Sequence, residues 1–259
     1  MNDEFLAATR LLDFGNPHLE RLVEARGWRR LSDHERIGAV YDFVRNEIAF
    51  GYNARDDLAA SRVLRDGYGQ CNTKATLLMA LLRAVGVACR LRAFTVDKSL
   101  QRGIVPEIVY RIAPARILHT WVEVWHAERW VALEGVIVDA PMLAVLQAQF
   151  PSRPDLCAFG VATDCLQAPP VDWRGGDTFI QKAAITGDLG AFAAPDLVYE
   201  KHGQDLPPLK ALLYRHLVRH WMNARVARLR RGIVPEIPRP GGHAAAPGAN
   251  GARQREAAS

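Results

Sequence analysis

The sequence predicts an α+β domain in which a strongly apolar helix packs on an antiparallel sheet, followed by a mainly helical extension. Three observations carry this expectation. Residues 71–85 read as a strongly apolar helix, with Gly86 placed to end it. Ile117–Trp125 and Trp130–Val138 are rich in β-branched and aromatic residues and are joined by His126-Ala127-Glu128-Arg129. Beyond Pro141 the clearest helical pattern runs from Pro207 to Arg231.

The elements follow in order. Ser32 and Glu35 form a capping box, and Ile37, Val40, Tyr41, Val44 and Ile48 recur at helical spacing, which predicts a helix over 33–48. A short helical stretch at Leu58–Leu64 leads to Asp66-Gly67-Tyr68-Gly69, where two glycines permit a tight turn directly before Gln70-Cys71. Ala75, Leu78, Met79 and Leu82 form one stripe of the following helix. Val87–Val96 reads as a strand, and 97–116, with two prolines and no clear periodicity, as a loop. The two β-rich segments form a hairpin. Further on come a helix near 141–149, a Pro/Gly-interrupted stretch through Gly203, and a helix over 207–231 whose proline start suits a first helical turn. Its Leu209, Leu213, Leu217 and Trp221 are expected to pack on the main domain. Domain boundaries are therefore expected at 1–140 (core), 141–231 (extension packed on the core) and 232–259 (a disordered tail rich in Pro, Gly and Ala). The heptapeptide RGIVPEI at 102–108 and 231–237 stands in no wider repeat.

Composition narrows the classes. Ordinary globular usage, with 49% hydrophobic and 24% charged residues among 259, allows a sizeable core without disulfides or metals. Four cysteines without CxxC pairs, and no signal pattern at the N-terminus, predict a reducing cytoplasm. No apolar run reaches the roughly 20 residues of a membrane span. Net charge is +5, but the stretch from Lys210 carries +8 and the rest −3, so the basic character lies away from the candidate site. Nucleic-acid binding is not expected; the basic helix offers little aromatic stacking beyond Trp221. No Walker loop, dinucleotide fingerprint or GxSxG elbow occurs, and no motif asks for a cofactor. His216 and His220 have i, i+4 spacing but no third ligand, so two exposed helix histidines is the expected reading rather than a metal site.

The chemistry-bearing residues are Cys71, His119 and an acid. A thiolate is a strong nucleophile, and the first turn of a helix favours negative charge through its dipole and free N–H groups. The Cys71 N–H is also placed to donate to an oxyanion. A small buried cysteine packing a core helix is the competing reading. If Trp125 pairs with Trp130, paired numbers sum to 255, so Trp121 lies opposite Glu134 and His119 opposite Val136. His119 and Glu134 are then diagonal neighbours, close enough for a carboxylate to orient the imidazole. Asp139 is the rival acid; its odd offset from Val136 puts it on the other face unless a bulge or turn intervenes.

Together GYGQCNTKATLLMALLRAVGVACRLRAF and HTWVEVWHAERWVALEG, within about residues 35–140, resemble the transglutaminase-like superfamily. The resemblance implies a papain/transglutaminase-like core with the catalytic cysteine at a helix N-terminus packed on an antiparallel sheet. It also implies Cys71 as nucleophile, His119 as general base and acid, and Glu134 as third member. Members of that superfamily usually carry Asp at the last position, so Glu134 is a departure, and Asp139 stays open as the alternative. The expected activity is cysteine-dependent chemistry on protein, peptide or other amide substrates, by hydrolysis as a peptidase or amidase. Acyl transfer to an amine is the first alternative, and a non-catalytic binding or scaffold module the second.

Overall fold

The computed structural model of the 259-residue chain describes residues 3–203 and 207–237. The expected tail at 232–259 therefore lies largely outside the described residues.

The helices are α1 (Pro17–Arg26), α2 (Asp33–Asn46), α3 (Ala60–Asp66), α4 (Cys71–Ala84), α5 (Glu107–Ile112), α6 (Ala140–Gln149), α7 (Pro195–His202), α8 (Pro208–Leu213) and α9 (Arg219–Arg230). The strands are β1 (Ala49–Phe50), β2 (Tyr68–Gly69), β3 (Cys89–Asp97), β4 (Arg116–His126), β5 (Arg129–Ala132), β6 (Leu156–Ala158), β7 (Val161–Thr163) and β8 (Ile185–Phe192). The central sheet has the order β5-β4-β3-β8, antiparallel throughout. The pairs β1-β2 and β6-β7 form two small ladders.

Local chemistry explains where these elements start. The Ser32 hydroxyl accepts from the Glu35 N–H, and the Glu35 carboxylate accepts from the Ser32 N–H at 3.0 Å, closing the capping box of α2. Helix α4 opens with the Lys74 N–H donating to Gln70 O at 2.8 Å, while the Gln70 N–H donates to the Thr73 hydroxyl at 3.1 Å. Gly69 is required here by contact: a Cβ would lie 2.7 Å from the Thr73 hydroxyl oxygen. The left-handed residue of the preceding turn is Gly67, at φ +69°.

Helix α4 is buried on every side. Beyond the expected stripe, Leu77 and Leu81 are fully covered, as are Leu78, Met79 and Leu82. Each such side chain contributes about 1.5–3 kcal/mol on burial. One hydrophobic cluster runs from Leu12 in the N-terminal segment through α4 and β4 to Met222, Val226 and Leu229 of α9.

Several sequence expectations need correction. The second hairpin strand stops at Ala132 rather than Val138, because Leu133 leaves the sheet to bridge Thr178 and residues Glu134–Ile137 coil into a 3-10 turn. The hairpin connection is tight, with Ala127 and Glu128 both at positive φ between the paired His126 and Arg129. The expected loop at 97–116 contains a 3-10 turn and α5, and the Pro/Gly-interrupted region holds β6, β7, β8 and α7. The C-terminal helix is divided by a π-helical segment at Tyr214–Val218. Its leucine series faces outward: Leu209, Leu213, Leu217 and Trp221 are 51–79% exposed, and Met222, Val226 and Leu229 supply the packed face instead. No described helix is long and apolar enough to cross a membrane.

Candidate active site

Cys71 is the first residue of α4, half-buried, with its thiol 3.6 Å from Asn72 Oδ1. Asn72 ties this end of the helix to β4. Its side-chain nitrogen donates to Leu118 O at 3.3 Å, and its oxygen accepts from the Thr120 hydroxyl at 3.0 Å. These two bonds flank His119 and set the helix terminus against the strand position that carries the imidazole.

His119 is fully buried, paired across the sheet with Phe94. Aromatic rings cover it: Trp121 meets it edge-on at 6.0 Å and itself stacks on Phe94 at 4.0 Å and against Phe179 at 5.7 Å. Nε2 lies 3.4 Å from Glu134 Oε1, also fully buried, in an ion-pair contact rather than an aligned hydrogen bond. Burial by itself lowers the proton affinity of this ring. Interaction with the Cys71 side chain, then with Glu134, outweighs it and holds the imidazole pKa up at about 9.

The register locates Glu134 well, although it has left the strand. Glu123 pairs with Ala132, keeping the sum of 255, and the Leu133 N–H still donates to Val122 O at 2.8 Å. The carboxylate is then fixed from a distant part of the chain. Gln181 N–H donates to both oxygens, at 2.8 and 3.0 Å, and Ile180 N–H donates to Oε2. Sequence reasoning missed these two backbone donors, because backbone groups carry no residue-type signal.

Asp139 occupies a different site. It caps α6 by accepting from the Met142 N–H at 3.1 Å, accepts from the Phe50 N–H at 3.0 Å, and is gripped by Arg230, whose Nε lies 3.1 Å from Oδ1. Burial opposes its ionisation, but the Arg230 guanidinium and the Phe50 N–H hold its carboxyl below the ordinary range. Its partners are structural, and none is His119.

Around Cys71 the structure adds residues that the sequence did not single out. Gln70 Oε1 accepts from the Asn53 N–H at 2.9 Å, and its amide nitrogen donates to Asp56 at 2.7 Å. The other cysteines lie elsewhere: Cys89 is buried, with its thiol pushed up to about 11 by burial, and Cys157 and Cys165 are exposed. His216 and His220 are exposed on the C-terminal helical segment.

Comparison with known proteins agrees with this architecture. Residues 25–135 match the family model of the transglutaminase-like superfamily, so this segment is transglutaminase-like and the α+β arrangement is of the papain/transglutaminase kind. The solved structures include a candidate cysteine protease from Cytophaga hutchinsonii, similar with a TM-score of 0.43 and 12% identity. The similarity covers 74% of this chain and 47% of that one, so the chain spans about half the length of that protein. No curated protein matches the sequence significantly. The family match supports thiol-dependent chemistry in general.

Proposed function

We propose that the chain is a cysteine-dependent acyl enzyme in which Cys71 is the nucleophile, His119 the general base and acid, and Glu134 the residue that orients the imidazole. The observation that carries this reading is the buried His119–Glu134 contact of 3.4 Å beside the thiol at the N-terminus of α4. With Nε2 turned to Glu134, Nδ1 is the nitrogen left to take the thiol proton. The resulting thiolate adds to the carbonyl carbon of an amide, and the oxyanion faces the N–H groups at the start of α4. The intermediate collapses as His119 returns its proton to the departing amine, leaving a thioester on Cys71. A second acceptor then gives its proton to His119 and attacks the thioester, which releases the thiol.

Where the acceptor is water, the product is a carboxylic acid and the enzyme is a peptidase or amidase; this is the reading we favour. Where it is a primary amine, the product is a new amide and the enzyme is an acyl transferase. A reducing, cytoplasmic setting suits four unpaired cysteines and a thiol nucleophile.

A nitrophenyl ester of a short acyl chain tests the reading without knowledge of the natural substrate. Wild type should show an acyl adduct on Cys71 by mass spectrometry, absent from Cys71→Ala and strongly slowed in His119→Ala. Excess primary amine should leave free acid as the main product under hydrolysis, and divert the acyl group to an amide under transfer. A wild-type protein with no adduct at Cys71 supports the scaffold alternative instead.

A further inference from the structure

The C-terminal helical segment, from α8 through α9, has two apolar sides, and the core covers one of them. Tyr214 and Val218 are half-buried against the core, and Met222, Val226 and Leu229 complete that side. On the other side Leu209, Leu212, Leu213, Leu217 and Trp221 are 51–79% exposed. A spacing of four residues drifts by about 40° per step around an α-helix. The i→i+5 turn at Tyr214–Val218 is wider and takes up part of that drift, which keeps Leu209, Leu213, Leu217 and Trp221 in a row. At a rise of about 1.5 Å per residue the row is about 18 Å long. Single exposed leucines are ordinary, but a continuous apolar row facing water marks a binding surface.

Charge decides what can cover it. Residues 207–231 hold seven Lys and Arg and no Asp or Glu. Arg219, Arg225 and Arg230 are engaged by the Tyr68 hydroxyl, Gly103 O and Asp139. Lys210, Arg215, Arg228 and Arg231 are exposed and make no ion pair among the described residues. A second copy laid helix on helix would bring these cations together with no acid between them. The chain beyond residue 237 is no better suited: it has no Leu, Ile, Val, Met, Phe, Tyr or Trp, and three Arg against one Glu. A nucleic-acid backbone would match the charge and leave the leucines in water. An anionic lipid surface answers both features. Its acyl boundary takes the leucines, its headgroups take the cations, and its interface is where a Trp is favoured.

We propose that the exposed face of this helical segment docks on an anionic bilayer surface, lying in its plane with Leu209, Leu213, Leu217 and Trp221 immersed and Lys210 and Arg215 among the headgroups. The inference goes beyond the thiol chemistry and does not depend on it. The contact is peripheral, since no described helix is long and apolar enough to cross a membrane.

Co-sedimentation of the full chain with vesicles tests it. Vesicles of phosphatidylcholine alone are compared with mixed phosphatidylcholine–phosphatidylglycerol vesicles, at low and at high salt. Wild type should bind the anionic vesicles about tenfold or more tightly than the neutral ones, and salt should weaken that binding. The double variant Leu213→Ser/Leu217→Ser alters only exposed side chains and should lower binding to the anionic vesicles about tenfold or more. Lys210→Glu/Arg215→Glu should remove the preference for anionic lipid. Thermal unfolding of both variants should match wild type. No wild-type binding, equal binding to both kinds of vesicle, or binding that survives the leucine substitutions overturns the proposal. So does a wild-type dimer that the leucine substitutions dissociate, which would give the face to a second copy, or retention on an oligonucleotide without binding to vesicles. The wild-type comparison decides the matter even if a variant folds poorly.

Discussion

Two acids five residues apart, Glu134 at the start of a 3-10 turn and Asp139 at the N-cap of α6, do different things. Both are buried, at 0% and 2% exposure. Glu134 is held by the backbone N–H groups of Ile180 and Gln181, which carry no net charge, and so its remaining electrostatic reach is directed at His119. Asp139 meets a full guanidinium from Arg230 and two backbone donors. It lies close enough to buried Lys74 to oppose the burial that pulls that ammonium pKa down to about 7. Neutral donors fix a carboxylate while leaving its charge unspent, whereas a cation neutralises it. Type of acid alone would have favoured Asp139; the neighbours favour Glu134.

Neutralising each acid in turn should separate their roles. Glu134→Gln should lower the rate of acylation of Cys71 by about a hundredfold or more, since an amide no longer stabilises the imidazolium that forms. Burst kinetics with the nitrophenyl ester would measure it. Asp139→Asn should instead cost about 3 kcal/mol of folding stability, by leaving Arg230 without its partner. Its Cys71 labelling profile should match wild type. Denaturant unfolding and alkylation of the same sample separate the two effects, and a reversal of the two phenotypes would exchange the roles of the acids.

The electrostatic state of His119 gives a third test. Its folded value of about 9 lies above its ordinary 6.5, so the folded state holds this proton more tightly than the unfolded chain does. The stabilisation is therefore fully present below about pH 6.5 and is lost as pH rises through about 9. An NMR titration of the His119 ring should show a midpoint near 9, and replacing Glu134 by Gln should lower it. A midpoint at or below 6.5 would mean that burial outweighs its partners.

The smallest contrast lies in the C-terminal helical segment. Met222→Ala should destabilise by about 2–5 kcal/mol, as a core truncation does. Leu213→Ser, 51% exposed, should change stability by no more than about 0.5 kcal/mol. Thermal unfolding of the two variants side by side checks which face is packed.

Much of this was legible in the chain and some was not, for physical reasons. Helix α2 carries its start signal in Ser32 and Glu35, α4 carries its apolar run, and the hairpin register follows from matching Trp125 to Trp130. Each is a local pattern with a local cause. The proximity of His119 and Glu134 also follows from that register, since the pairing sum persists to Leu133 even where the strand itself has ended. Strand β8 was not legible: Ile185–Phe192 alternates weakly and contains Gly187 and Gly190, and its place in the sheet comes from pairing with β3. The leucine spacing at 209–217 suggested a buried stripe, but equal spacing cannot say which face of a helix meets the core.

The proposed chemistry requires above all that His119 activates Cys71. Iodoacetamide alkylation of all four cysteines, followed by mass spectrometry across pH in wild type, His119→Ala and Glu134→Gln, measures this. Selective Cys71 labelling below about pH 7, where an ordinary thiol of pKa roughly 8.5 is mostly protonated, is the predicted result. It should be lost in His119→Ala and weakened in Glu134→Gln. Labelling of Cys71 no faster than that of Cys157 or Cys165, and indifferent to His119, would contradict the thiol–imidazole pair and the proposed chemistry with it.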